Sequence, residues 1–266
     1  MEASVVISYY KNIPNLELIL LALNSQSAKE TFEVIVSEDD DAEETIDFLN
    51  QITPRLSYPI IHLSQPDNGF QKCKALNKAI QASTSDFIVF LDGDCIPHRQ
   101  LVKEYIQAKR VGCALYGRRV MLSEKISHEL LNRKNLNLLN LFNLIRCGCK
   151  RIEEGLYLRF VPQSMKTKKS GLLLGCNMGI SKNDLLAING FDEDFIAPGG
   201  GEDTDIEWRL RALGTVSFFS MKFRSIVYHM YHQERFSREM ELRNYEILND
   251  KMKLGFYQCR NGLKKL

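Results

Sequence analysis

The chain has 266 residues, of which 44% are hydrophobic and 26% charged, with 16 Gly and 7 Pro. That length allows one large α/β domain or two small ones. The composition excludes a disordered, collagen-like or repeat-array chain and leaves enough apolar material for a core. A formal net charge of +2 conceals an asymmetry: residues 1–99 carry 7 Lys/Arg against 15 Asp/Glu, residues 100–170 carry 15 against 5, and residues 171–266 carry 13 of each. A basic middle segment suits an anionic partner such as phosphate, nucleic acid or a membrane surface, although a solvated face gives the same count. No run approaches ~18 apolar residues, so no spanning helix is expected. Met1 leads into a strand-like run without a basic stretch, which argues against a secretory signal. The seven cysteines are scattered, and Cys147 and Cys149 lack metal or redox spacing, so reduced thiols in a cytoplasmic chain are expected.

Strand and helix signals alternate through the first hundred residues. Ser4–Tyr10, Phe32–Ser37, Ile60–Leu63 and Phe87–Leu91 are short apolar, β-branched or aromatic runs, as strands buried on both faces of a parallel sheet are. Helical spacing lies between them, in Leu16, Ile19, Leu20 and Leu23 and again in Ala75, Leu76, Ala79 and Ile80. The repetition predicts a right-handed, parallel, nucleotide-binding-type sheet. Ligands of such sheets sit beyond the carboxyl ends of the strands. Those ends carry Tyr9-Tyr10-Lys11, Glu38-Asp39-Asp40-Asp41, Gln65 to Gly69, and Asp92-Gly93-Asp94. Turn chemistry explains any one of these; four in register point to a ligand site.

From residue 100 to 170 the pattern loosens. Leu136 to Ile145 is apolar but interrupted by Asn137, Asn140 and Asn143, and closed by Arg146, Lys150 and Arg151. It reads either as a core helix or as one lying on a membrane or lipid acceptor. Lys166, Lys168 and Lys169 read as a mobile basic loop. Further on, Leu172–Ile180 is strand-like, Lys182–Ile188 a short helix, and Gly199-Gly200-Gly201 a loop feeding a helix over Ile206–Leu213 that ends at Gly214. Val216–Tyr228 reads as strand and Glu234–Leu254 as helix.

Three elements carry candidate chemistry. Asp92-Gly93-Asp94 sets two carboxylates on one side of a sheet edge, because strand side chains have period two. Divalent cations take such oxygens and bridge to phosphates. Glu202 and Asp203 follow a glycine loop at a helix start, where either Asp203 or Thr204 caps the helix or a carboxylate supplies a general base. His229 and His232 are either structural or ligands of the same metal.

Taken together, these stretches resemble an inverting glycosyltransferase of the GT-A fold, family 2, in the branch shared by bacterial chondroitin polymerase modules and the β1,4-galactosyltransferases. The resemblance runs over residues 4–235, through Val5 to Tyr10, Gln65 to Ala79, Phe90 to Cys95, Gly175 to Lys182, Asn189 to Phe195, Gly200 to Leu210 and Tyr231 to Glu234. It implies an α/β fold with a mostly parallel twisted sheet, flanking helices and a short antiparallel part. It implies a single domain over 1–266, with a nucleotide-sugar-binding half (1–99) and an acceptor-binding, catalytic half (100–266).

The resemblance also implies roles. Ser8, Tyr9 and Tyr10, with Glu38, would hold the nucleotide base, and Asp67, Gly69, Phe70, Lys74 and Asn77 would line the nucleotide pocket. Asp92 and Gly93 would face the ribose or base. Asp94 and His232 would bind the metal, Mn2+ or Mg2+, with His229 a second candidate. Asp203 would be the catalytic base and Glu202 its neighbour that orients the acceptor. Where the family's second strand ends in Asp-Asp, this chain has an acidic run from Glu38, so the base contact could shift to Asp39. Residues 123–170 match nothing in the family pattern.

The implied reaction moves a sugar, with inversion, from a nucleotide-diphosphate sugar to a saccharide or glycolipid hydroxyl. UDP is the commonest donor nucleotide in this branch. The expected setting is bacterial surface polysaccharide or lipopolysaccharide synthesis, in the cytoplasm or peripherally on the inner face of the cytoplasmic membrane, with the basic 100–170 segment making the membrane contact. No nucleic-acid partner is expected. A sugar nucleotidyltransferase would share the sheet and metal logic, but should open with a glycine-rich, Arg/Lys-containing loop instead of Ser8-Tyr9-Tyr10-Lys11-Asn12. A nucleic-acid-binding protein would use the basic segment but leave the D-x-D strand and the Gly-Gly-Glu-Asp loop unexplained.

Overall fold

The computed structural model describes residues 1–161, 171–233 and 236–266. The Lys166, Lys168 and Lys169 loop, and the start of the expected C-terminal helix at Glu234, lie outside the described residues. The alternation opens with β1 (Ala3–Tyr9), α1 (Ile13–Asn24), β2 (Phe32–Glu38), α2 (Glu43–Ile52), β3 (Ile60–Leu63), α3 (Lys72–Ala82) and β4 (Phe87–Asp92). It continues through β5 (Cys95–Pro97), α4 (Leu101–Ala108), β6 (Cys113–Tyr116), β7 (Arg118–Met121), α5 (Glu124–Arg133) and α6 (Leu141–Arg146). The last described elements are β8 (Met178–Ser181), α7 (Lys182–Ala187), α8 (Glu202–Leu213), β9 (Ser217–Ser220), β10 (Ile226–His229) and α9 (Arg238–Leu254).

Seven strands form one sheet in the order β3-β2-β1-β4-β8-β6-β9. Strands β3, β2, β1 and β4 run parallel, and β8 runs antiparallel to both β4 and β6. Side-chain alternation explains why its inner strands read as unbroken apolar runs. Val5, Ile7, Val34, Val36, Val89 and Leu91 join a cluster with Leu16 of α1, Leu49 of α2, Tyr105 of α4 and Leu130 of α5. Val6, Ile35, Ile88 and Phe90 join a separate cluster with Leu76 of α3, Leu185 of α7, Ile206 of α8 and Leu248 of α9. The result is helix, sheet, helix.

A second sheet, β5-β10-β7, stands beside the first. In it, β10 pairs antiparallel with β5 and parallel with β7, so His229 lies opposite both Cys95 and Met121. That register brings His229 beside Asp94, the residue preceding β5.

Several expected elements change shape. Only Met178–Ser181 of the apolar 172–180 run is strand; the amides of Leu172 and Leu173 donate instead to the buried Glu207 carboxylate. The expected strand at 216–228 is two strands in different sheets, β9 and β10. The C-terminal helix begins at Arg238, where Ser237 Oγ accepts from the Met240 amide. The 136–146 stretch breaks into a 3-10 turn and α6, each opened by an asparagine side chain, Asn135 and Asn140. Thus Asn140, one of the asparagines that spoil its helical stripe, acts as a cap. Helix α2 lacked a sequence expectation; it buries only Thr45, Leu49 and Ile52. No described helix is long and apolar enough to cross a membrane.

Candidate active site and metal centre

The carboxyl edge of the large sheet is closed by backbone contacts that leave little freedom. The Gly93 amide donates to Ser8 O at 2.7 Å, and a Cβ at Gly93 would stand 2.8 Å from that same oxygen. Glycine between the two aspartates is therefore a steric requirement of the turn. The Met230 amide donates to Asp94 O at 2.8 Å, locking the end of β10 to the D-x-D turn.

Three side chains converge there. His232 Nε2 lies 3.0 Å and His229 Nε2 3.4 Å from Asp94 Oδ2, and one donor atom from each of the three lies within 4.8 Å of the others. Burial alone would raise the Asp94 carboxyl, but hydrogen bonding from His232, the charge of His229 and the Cys95 thiol hold it down at about 2. Burial pushes His229 below its usual value. An ionised carboxylate with a neutral imidazole is a competent donor set for a divalent cation. The buried Nδ1 of His229 has no hydrogen-bond partner among the described residues. The residues present fit a divalent cation, which Asp94, His232 and His229 could hold together.

A second cluster faces them across Lys72. Its Nζ lies 2.9 Å from Asp92 Oδ1 and 3.3 Å from Glu202 Oε1. Burial acts to lower the ammonium, but Asp92, Glu202 and Asp203 outweigh it and hold Lys72 well above its ordinary value. One cation thus joins the strand β4 carboxylate to the start of α8. Helix α8 begins at Glu202, with Gly201 in the cap position at φ +108°. Neither Asp203 nor Thr204 is the cap, which leaves Asp203 available for chemistry. Its Oδ2 accepts from the Gly175 amide at 2.7 Å, while its buried Oδ1 lacks a hydrogen-bond partner among the described residues. Burial and the neighbouring Glu202 charge push the Asp203 carboxyl up to about 7. A carboxylate poised near neutrality is what general-base work requires.

A third group lies beyond β1 and β3. Tyr10 Oη donates to Asp67 Oδ2 at 3.1 Å, Lys11 Nζ reaches the same oxygen at 2.5 Å, and the Gly69 amide donates to Asp67 Oδ1 at 3.1 Å. Tyr10 is exposed and Phe70 half-buried. Ser8 pairs with Asp92 and Tyr9 with Glu38 in the strand register.

Four residues named from the sequence sit differently. Glu38 is buried and both its oxygens are engaged, by Thr45 Oγ1 at 2.6 Å and His62 Nε2 at 2.6 Å. Asp39, the alternative to it, accepts from Gln65 Nε2 and the Gln71 amide, each at 2.7 Å. Asn77 is buried away from this edge, with its amide exchanging two 2.8 Å bonds with the Phe191 backbone. Lys74 is exposed and reaches only Gln71, at 3.5 Å. Lys72, Gly175 and Asn244 were not singled out by sequence reasoning, and the last holds the glycine loop through Ala197 O and Gly200 O, each at 2.8 Å.

The family described as glycosyl transferase family 2 matches residues 4–183, and that described as the N-terminal domain of galactosyltransferase matches residues 158–233. An uncharacterized glycosyltransferase of Bacillus subtilis, YfnE, is 30% identical over 126 residues, 45% of this chain and 31% of that protein. Hyaluronan synthase of Pasteurella multocida is 31% identical over 103 residues, 39% of this chain and 10% of that protein. The matches thus span less than a third of these relatives' own lengths. Among solved structures, GalNAc-T7 with UDP, GalNAc and Mn2+ superposes with TM-score 0.62 at 13% identity, over 93% of this chain and 47% of that one. The mannosyltransferase PcManGT of Pyrobaculum calidifontis, with GDP-Man and Mn2+, gives TM-score 0.58 at 14% identity, over 88% and 58%. The chain has the GT-A fold and belongs to glycosyl transferase family 2.

Proposed function

We propose that the chain is an inverting, metal-dependent transferase that moves a sugar from a UDP-sugar to a hydroxyl of a saccharide or glycolipid. The observation that carries this reading is the pairing across Lys72 of the Asp92–Asp94 turn with Glu202 and Asp203. The donor diphosphate would lie at the first, and the acceptor hydroxyl at the second. Both solved relatives reported above hold Mn2+ with a nucleotide or nucleotide sugar, which supports a divalent cation and a nucleotide-diphosphate donor here.

A cation held by Asp94, His229 and His232 would offset the charge that develops on the departing diphosphate. The exposed Tyr10 ring, with Asp67 fixed by Lys11, offers a surface for the nucleobase beside Ser8 and Gly69. Asp203, with its free Oδ1, takes the proton from the acceptor hydroxyl as that oxygen attacks the anomeric carbon. Glu202 is tied to Lys72 and orients the acceptor. The engagement of Asp92 and Glu202 by Lys72 leaves Asp203 as the base and supplies no second carboxylate nucleophile, in keeping with a single displacement and inversion. The polysaccharide product named for hyaluronan synthase supports surface polysaccharide or lipopolysaccharide assembly, at the cytoplasmic face of a membrane.

The test is donor binding. UDP in the presence of Mn2+ should raise the melting temperature, since a ligand that binds only the folded state stabilises it by mass action. Asp94→Ala should abolish the Mn2+-dependent part. Unchanged UDP affinity in Asp94→Ala, or equal affinity with and without Mn2+, refutes the metal-bridged donor site.

A further inference from the structure

Helix α6 does not bury its apolar residues. Leu144 is buried, whereas Leu141, Phe142 and Ile145 are 47%, 73% and 58% exposed. Large apolar side chains scattered singly are ordinary on a protein surface, but three on one six-residue helix form a patch. The helix is firmly held, so the exposure is not that of a loose segment. Asn140 Oδ1 accepts from the Asn143 amide at 3.0 Å, the Cys149 amide returns to Leu144 O at 3.0 Å, and Leu144 packs into the core.

The chain segment that carries the patch has charge of one sign. Residues 130–151 contain Arg133, Lys134, Arg146, Lys150 and Arg151 and no Asp or Glu. Lys134 is neutralised by Glu17 and Arg151 lies 3.7 Å from Glu154. Arg133, Arg146 and Lys150 are exposed and form no ion pair among the described residues. Exposed apolar side chains beside unpaired cations match the boundary of an anionic bilayer, where acyl chains receive the one and headgroup phosphates the other.

The patch is also placed for the reaction. Lys150 and Met121 exchange two 2.9 Å backbone hydrogen bonds, and Met121 in turn lies opposite His229. Two strand spacings, roughly 10 Å, therefore separate the Lys150 backbone from that of a metal-site residue.

We propose that α6 docks the protein on an anionic lipid bilayer, with Leu141, Phe142 and Ile145 entering the interface and Arg133, Arg146 and Lys150 on the headgroups, so that the acceptor is presented from the membrane. This deepens the acceptor half of the proposed function and rests on that reading only for the role of the docked acceptor; lipid binding itself does not depend on it.

The experiment is co-sedimentation of the full chain with vesicles of phosphatidylcholine alone and of phosphatidylcholine with phosphatidylglycerol, at low and moderate salt. The chain should bind only the anionic vesicles, more weakly as salt rises. Phe142→Asp with Ile145→Asp should abolish binding. Arg146→Glu and Lys150→Glu should each weaken it at least fivefold, the fold-change equivalent to about 1 kcal/mol per basic residue. All of these side chains are exposed and outside the cleft, so melting temperature and the UDP–Mn2+ shift should match the parent chain, which separates a failure of this proposal from a failure of the donor site. Absence of binding to anionic vesicles, or binding indifferent to the Phe142/Ile145 change, overturns it. So does a change of oligomeric state in that variant with lipid binding intact, which would assign the patch to a protein partner.

Discussion

The Gly175 amide donates to Asp203 Oδ2 at 2.7 Å, and a Cβ built on Gly175 would stand 2.7 Å from Oδ1 of the same carboxylate. The backbone just before β8 thus serves as a seat for the candidate base, and the seat has no room for a side chain. It holds the carboxylate by one oxygen and leaves the other without a hydrogen-bond partner among the described residues.

Gly175→Ala tests that seat. The new methyl meets the end of a side chain rather than backbone, so Asp203 can turn aside and folding should lose little. Displacing a reacting group by about an ångström can cost on the order of 100-fold in rate. The expected result is a melting temperature near that of the parent with transfer reduced roughly 10- to 100-fold and donor affinity retained. Full activity in Gly175→Ala means that the Asp203 position does not govern the rate.

How much of this was legible in the sequence depends on period. The sheet was, because Val5 to Ile7 and Phe87 to Leu91 are apolar at every step and so declare burial on both faces. The D-x-D turn and the two histidines were legible as residue types, but their meeting depends on the β5-β10-β7 register, which short strands three and four residues long do not announce. Lys72 reaches Asp92 and Glu202, whereas Lys74, the lysine singled out from the sequence, reaches Gln71. Helical phase separates them: Lys72 shares a face with the buried Leu76 and Ala79, and Lys74 with Lys78 and Gln81. A lysine in phase with an apolar stripe, at the end nearest the carboxyl edge of the sheet, was the available signal. Asn77 is buried, as are the Leu76 and Ala79 that share the Lys72 face. It lies on the buried face of α3, where it must spend its amide on backbone, here that of Phe191.

Lys72→Met should separate the two roles of the cation. It leaves Asp92 and Glu202 facing each other without compensation. A fully buried pair broken on one side costs about 3–5 kcal/mol; Asp92 retains 26% exposure, so about 1–3 kcal/mol is expected here. Lys72 also acts to lower Asp203, so the acid limb of the rate profile should move to higher pH in the variant. An unmoved limb would place Lys72 outside the electrostatics of the base.

The two histidines should not be equivalent. His229 is buried at the end of β10 and paired in register with Cys95 and Met121, whereas His232 is exposed on the following segment. His232→Ala should weaken Mn2+ binding by calorimetry with little change in melting temperature. His229→Ala should weaken Mn2+ binding and also lower the melting temperature, as deletion of a buried side chain does. Parent-like Mn2+ affinity in both variants would remove them from the metal site.

Asp203 and Glu202 separate binding from chemistry, and pH reports which of the two is the base. Burial and the Glu202 charge raise Asp203 to about 7, above its ordinary 3.8. The folded chain therefore holds this proton more tightly than the unfolded one, and stability from this group falls as pH rises from about 4 to about 7. Catalysis runs the other way, because the ionised form accepts the proton, so turnover should climb with pH on an acid limb near 7. Asp203→Asn can keep the Gly175 contact but cannot accept a proton. Turnover should drop by roughly 10²–10⁴ with UDP–Mn2+ affinity unchanged, and the loss of stability between pH 4 and 7 should flatten. Glu202→Gln removes the neighbouring charge, so its acid limb should move to lower pH while transfer continues at a reduced rate. Near-normal transfer in Asp203→Asn together with an inactive Glu202→Gln would shift the base by one residue, and activity in both would refute proton abstraction by either.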